Sequence, residues 1–73
     1  MRVRVIIDPA HDQYDTVLYD VRTFLHFQVS GYWTISEKED FDGRTVLTID
    51  FSDPWDEYNL KCLSNMAARI SCR

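Results

Sequence analysis

Four residues near the start of the chain are of the types that chemistry uses: Asp8, His11, Asp12 and Asp15. Carboxylates and an imidazole gathered behind a strand would offer a general base or ligands for a metal ion. A second formal pairing is a thiol with an imidazole, Cys62 with His11 or His26, which would make a nucleophile. Neither arrangement comes with a supporting motif, since the sequence contains no HExxH, GxSxG, P-loop or CxxC spacing. His11 and Asp12 suit a surface turn, and Cys62 falls on an apolar stripe where a thiol packs as a small inert hydrophobe. The expectation is therefore a non-enzyme, with no catalytic residue, no metal site and no cofactor.

The elements that would position these residues follow from periodicity. Residues 2–8 alternate, with Val3, Val5 and Ile7 on one side and Arg2, Arg4 and Ile6 on the other, which is a strand with one buried face. Asp8-Pro9 ends it. From residue 12 to residue 29 the period becomes helical: Tyr14, Val17, Leu18, Val21, Phe24, Leu25 and Val29 line one stripe. Asp12 is the expected N-cap and Gly31 the expected residue just past the C-terminus. Residues 32–37 and 44–51 alternate again, and Asp42-Gly43 between them signals a hairpin. Ser52-Asp53-Pro54 then opens a second helix. Its apolar side reads as Trp55, Tyr58, Cys62, Leu63, Met66, Ala67 and Ile70. This order predicts an α+β fold: one βαββα domain over residues 1–73, with a three-stranded mixed sheet and both helices packed on one face. Its first two strands would run parallel through a right-handed crossover.

The bulk properties agree with a small globular chain. Its 73 residues are 45% hydrophobic and 27% charged, with two Gly and two Pro, which excludes disordered and collagen-like classes. The longest aliphatic run is Val5-Ile6-Ile7, far short of the about 20 residues that span a bilayer. Met1-Arg2-Val3-Arg4 is basic but no apolar stretch follows, so nothing supports secretion. Cys62 and Cys72, placed on one helix, would sit about 15 Å apart and could not bridge. Two free thiols predict a reducing, cytoplasmic setting.

Charge is the most informative feature. The net charge is −4, which argues against a duplex-DNA binder. Between Glu37 and Glu57 eight acidic residues face only Lys38 and Arg44, so that stretch carries −6 and the remainder +2. Turns and helix N-termini attract Asp and Glu for local reasons. Read functionally, Glu37, Glu39, Asp40, Asp42, Asp53, Asp56 and Glu57 form an acidic surface that docks on a basic groove, such as one that holds nucleic acid. On the far side of the first helix, Tyr19 and Phe27 are aromatic where solvent is expected, and with Tyr32 they make candidate interface anchors. A homodimer would use the same patch. The open sheet face would carry Arg2, Arg4 and Tyr32, a possible track for a single nucleic-acid strand.

On size, acidity, free thiols and a βαββα plan with surface aromatics, the chain resembles the small acidic accessory proteins of bacteriophages, including anti-CRISPR proteins. That resemblance implies a protein that binds and blocks a host or defence protein. In element order, beginning at Met1-Arg2-Val3-Arg4-Val5, it also resembles the DinI family of RecA-filament modulators. Those carry an acidic ridge toward the C-terminal helix and tail, whereas this chain ends in the basic Arg69-Ile70-Ser71-Cys72-Arg73. The expected function is a non-enzymatic inhibitor or adaptor that covers a basic surface of a larger protein. A single-strand nucleic-acid binder and a structural homo-oligomer are the alternatives.

Overall fold

Alternation in Arg2–Ile7 produces strand β1, with Val3, Val5 and Ile7 buried and Arg2, Arg4 and Ile6 on the other side. The computed structural model describes residues 1–40, 42–63 and 69–71. The elements that follow β1 are helix α1 (Tyr14–Phe27), strands β2 (Trp33–Glu39) and β3 (Thr45–Phe51), helix α2 (Pro54–Lys61) and a short strand β4 (Ile70–Ser71). The class is α+β, as expected. Among the described residues no helix is long and apolar enough to cross a membrane.

The sheet differs from the expected one. Its order is β2-β3-β1-β4, and each neighbouring pair is antiparallel, so it is not mixed. β1 and β2 do not pair, because β3 lies between them. The reason is chemical. β3 reads Thr-Val-Leu-Thr-Ile-Asp-Phe, and its buried Leu47 and Ile49 sit opposite Val5 and Val3 on one side and Glu37 and Ile35 on the other. β2, with Glu37-Lys38-Glu39, suits an edge. The hairpin between β2 and β3 forms as its sequence predicts. Gly43 takes a φ of +77°, while the Asp40 carboxylate accepts from the Asp42 and Arg44 N–H groups at 2.9 and 3.1 Å.

One core cluster joins Val3, Val5 and Ile7 of β1 with Leu47, Ile49 and Phe51 of β3. α1 supplies Val17, Val21, Phe24 and Leu25 to it, and α2 supplies Leu60. The middle of the expected α1 stripe is buried, but Tyr14 is exposed, Val29 lies past the helix, and the caps differ from those expected. The N-cap position belongs to Gln13, whose side chain makes no capping bond. Asp12 instead receives the Asp8 N–H at 3.1 Å and the Arg69 guanidinium at 2.5 Å. That ion pair ties the turn before α1 to the residue that leads into β4, whose Ile70 pairs with Val5.

α2 departs furthest. It ends at Lys61, its buried residues are Asp56 and Leu60, and Trp55, Tyr58 and Cys62 face solvent. The expected apolar stripe is thus divided: Trp55, Tyr58 and Cys62 lie on the outer face, Leu63 packs against the core, Ile70 belongs to β4, and Met66 and Ala67 lie outside the described residues, as does Cys72. Cys62 is the residue just past the end of α2, and the expectation that placed both cysteines on one helix falls on Cys72 outside the described residues. What turns α2 inward is Asp56, 1% exposed. Its carboxylate accepts from the Ser30 N–H and hydroxyl at 3.1 Å each and from the Gly31 N–H at 2.9 Å. Gly31 is required by crowding rather than by a left-handed turn. A β-carbon there would meet Ser52 Oγ at 2.7 Å and Asp56 Oδ2 at 3.3 Å.

Burial disfavours the Asp56 anion, but the donors from Gly31 and Ser30 outweigh it and hold the carboxyl below its ordinary value of 3.8. A depressed folded-state pKa stabilises the fold above pH 4, and that contribution is lost as pH falls through the folded value. Asp56→Ala should lower Tm by about 5–15 °C at pH 7. Thermal melts from pH 7 to pH 3 should show the gap between wild type and Asp56→Asn narrowing; a constant gap would show the charge to be irrelevant.

Candidate functional site

The acidic residues singled out from sequence occupy two separate places. Glu37, Glu39, Asp40 and Asp42 lie on the far half of β2 and its hairpin, whereas Asp53, Asp56 and Glu57 lie at the start of α2. The seven residues of β3 run between these sites, a span of about 20 Å. No single acidic ridge forms. Several of these carboxylates also have local partners. Asp42 pairs with Arg44 at 2.5 Å, and Asp40 shapes the hairpin. Asp53 caps α2 by accepting the Trp55 N–H at 2.9 Å, and Glu57 pairs with Lys61 at 2.8 Å. Asp56 does not belong to a surface at all, being buried against Ser30 and Gly31. Glu37 and Glu39 remain exposed on the edge strand.

The aromatic residues stand out in the opposite sense. Tyr19, Phe27 and Tyr32 are 70%, 83% and 86% exposed. The sequence stripe concealed two more, because Trp55 and Tyr58 were assigned to the core and instead stack on the outer face of α2, ring centroids 5.3 Å apart. The signal that separates them is the rival stripe Asp56, Leu60 and Leu63, which a reading of apolar residues alone passes over at Asp56.

Chain geometry brings several of these rings to one end of the molecule. Tyr32 exchanges hydrogen bonds with Ser52: its N–H donates to Ser52 Oγ at 2.8 Å, and its carbonyl accepts the Ser52 N–H at 3.0 Å. The adjoining Ser30-Gly31 turn is held by Asp56, next to Trp55. Phe27 closes α1 three residues before that turn. The ends of α1 and β3, the beginning of β2 and the beginning of α2 thus meet at one joint, and Phe27, Tyr32 and Trp55 are borne on it.

α1 runs alongside β2 in the opposite direction. His26 packs edge-on to Trp33 with centroids 5.7 Å apart, and the Tyr14 hydroxyl donates to Glu37 at 2.5 Å. The β2 margin therefore begins at the aromatic joint and ends at Glu37, Glu39 and the hairpin. On the core side of the sheet, β2 presents Trp33 and Ile35, both half-buried, followed by Glu37 and Glu39.

The remaining candidates do less. Asp8 accepts the Ala10 N–H at 3.0 Å, and Asp12 is committed to Arg69, whose hydrogen bond lowers its pKa. These two carboxylates, His11, Arg44 and Arg69 border a shallow cavity of about 420 Å³. Among the described residues no three His, Cys, Asp or Glu gather to hold a metal ion. Cys62 is exposed at the end of α2, where its contact with Tyr58 raises the pKa of that phenol. On the other sheet face, Arg2 pairs with Asp50 at 3.0 Å, so that arginine is already compensated. A groove of about 590 Å³ there mixes Arg4 and Lys38 with Glu39 and Asp40.

The hydrogen bond to Glu37 raises the Tyr14 pKa above 10.0. Glu37→Gln should bring it down toward that value, as followed by NMR titration of the tyrosine ring carbons. An unchanged Tyr14 titration would mean that α1 and β2 are not joined at this point. Comparison with protein-family models, with curated proteins and with solved structures finds no match to this chain.

Proposed function

We propose that this chain is a non-enzymatic binding protein, an inhibitor or adaptor that occupies a surface of a larger protein. The observation that carries the reading is the group of exposed rings, Phe27, Tyr32 and Trp55, on the joint held by Asp56. Large rings lose little conformational entropy on binding and dominate interface energetics when they are buried. A rigid joint reduces the ordering cost further, because the backbone beneath the rings is already fixed.

The reading takes both helices to cover the Val3–Leu47 face of the sheet, leaving the Arg4–Thr48 face to solvent. The acids at the β2 hairpin supply a negative field at the opposite end from the rings, favouring a target with a basic surface. A protein that handles nucleic acid inside the cell is the target class that fits this chemistry, and the resemblance to bacteriophage inhibitors points the same way.

Two variants test it. Tyr32→Ala/Trp55→Ala removes exposed rings and should leave Tm nearly unchanged. Tagged wild type should retain one protein at near-stoichiometric yield from nuclease-treated lysate, and the variant should lose it, with affinity falling about 30-fold or more. Equal retention by both would overturn the proposal. Glu39→Lys/Asp42→Lys, which spares the structural Asp40, should slow association with the captured partner and flatten its salt dependence.

A further inference from the structure

The outer edge of β2 has no strand beside it among the described residues, and its pairing to β3 is continuous from Trp33↔Phe51 to Glu39↔Thr45. The edge is seven residues long and contains neither proline nor a bulge. Such an edge presents a row of backbone donors and acceptors to an incoming strand. Its side chains are graded on the core-side face: Trp33 and Ile35 are half-buried and packed against the core, and Glu37 and Glu39 are exposed. Directly opposite residues of an antiparallel pair share a face and lie about 4.5–5.5 Å apart at Cβ, so this row dictates what a neighbour must carry.

A second copy of the chain does not fit that row. Self-pairing that keeps both cores on one side joins residues of equal parity. Centred on Ile35, Ser36 or Glu37, it sets Glu37 opposite Trp33, Ile35 or the same residue of the other copy. Each arrangement places a carboxylate against an apolar side chain or against another carboxylate. Complementarity requires lysine or arginine opposite Glu39 and Glu37, then apolar residues opposite Ile35 and Trp33.

We infer that β2 accepts an extended segment of a partner protein as an added antiparallel strand, with the pattern basic-x-basic-x-apolar-x-apolar from its N-terminus. The inference rests on the reading of the chain as a binding protein and specifies the chemistry of the partner. Glu37, Lys38 and Glu39 then serve two ends: they discourage indiscriminate strand pairing and select the charge of the strand that is admitted. Tyr32, at the start of β2, places the aromatic joint beside the apolar end of the bound segment.

The probes are two end-blocked heptapeptides, Lys-Thr-Lys-Thr-Val-Thr-Val and Glu-Thr-Glu-Thr-Val-Thr-Val, added to isotope-labelled protein and followed by NMR. The lysine peptide should shift the amide signals of Trp33–Glu39 and slow their hydrogen exchange, and the glutamate peptide at equal concentration should not. Glu37→Lys/Glu39→Lys should reverse the preference, changing each affinity about tenfold. Glu39→Lys alone should move it in the same direction while leaving the Tyr14–Glu37 hydrogen bond in place. Shifts elsewhere than β2, equal binding of both peptides, no binding, or a free protein that sediments as a dimer with β2 already protected would each overturn the inference. Those results leave the Tyr32→Ala/Trp55→Ala capture unaffected, so the strand inference can fail while the aromatic surface stands.

Discussion

A buried carboxylate decides how this molecule closes. Asp56 sits in the first turn of α2, yet its three hydrogen bonds go to the Ser30-Gly31 segment. A charge removed from water must be compensated on the spot, and these donors compensate it. Once they do, the orientation of α2 is settled. Leu60, one turn on, enters the core, and Trp55 and Tyr58 have nowhere to go but outward. The absence of a β-carbon at Gly31 is part of the same constraint, since Ser52 and Asp56 occupy the space that it would need. The aromatic surface is in this sense a by-product of a polar contact.

The sheet follows a second logic, in which position matches composition. β3 and β1 each have two neighbours and each carry an apolar row of three buried residues, Leu47, Ile49 and Phe51 on one and Val3, Val5 and Ile7 on the other. β2 has one neighbour and ends in three successive charges. β4 contributes only two residues, secured through Arg69 and Asp12. Charge on this chain is therefore divided between work inside the fold and display at its margin. Asp12, Asp40, Asp50, Asp53 and Asp56 do the first, and Glu37 and Glu39 on the β2 edge do the second.

How much of this was legible in the sequence depends on the range of the interaction. Alternation in Arg2–Ile7, the Val17, Val21, Phe24 and Leu25 stripe and the Asp42-Gly43 turn are local signals, and each produced the element it indicated. The N-cap of α1 misled because Asp12 found a stronger partner in Arg69, 57 positions away. α2 misled more, since no periodicity marks a carboxylate as buried when its donors lie 25 and 26 residues earlier. Strand order was out of reach for a related reason. The spacing shows which face of β1 is apolar, not that β3 rather than β2 would cover its edge. Tyr19, Phe27 and Tyr32 were recognisable as misplaced rings, whereas Trp55 and Tyr58 were disguised by their helical spacing. The acidic stretch was counted correctly but lies on both ends of a strand, and a count carries no geometry.

The placement of β3 in the middle of the sheet also governs the order in which the chain can assemble. Arg2 and Asp50 face one another across 48 positions, so the central pairing of the sheet is among its most distant in sequence. During synthesis β1 precedes β3 by about 40 residues, so Val3, Val5 and Ile7 stay uncovered by it until Thr45–Phe51 has been made. The β2–β3 hairpin, by contrast, can close on itself, because only five positions separate its strands. A hairpin that forms early and then recruits β1 is the route with the smaller loop-closure entropy at each step. On that route β3 is covered when β1 arrives, while the outer edge of β2 gains no strand among the described residues at any step.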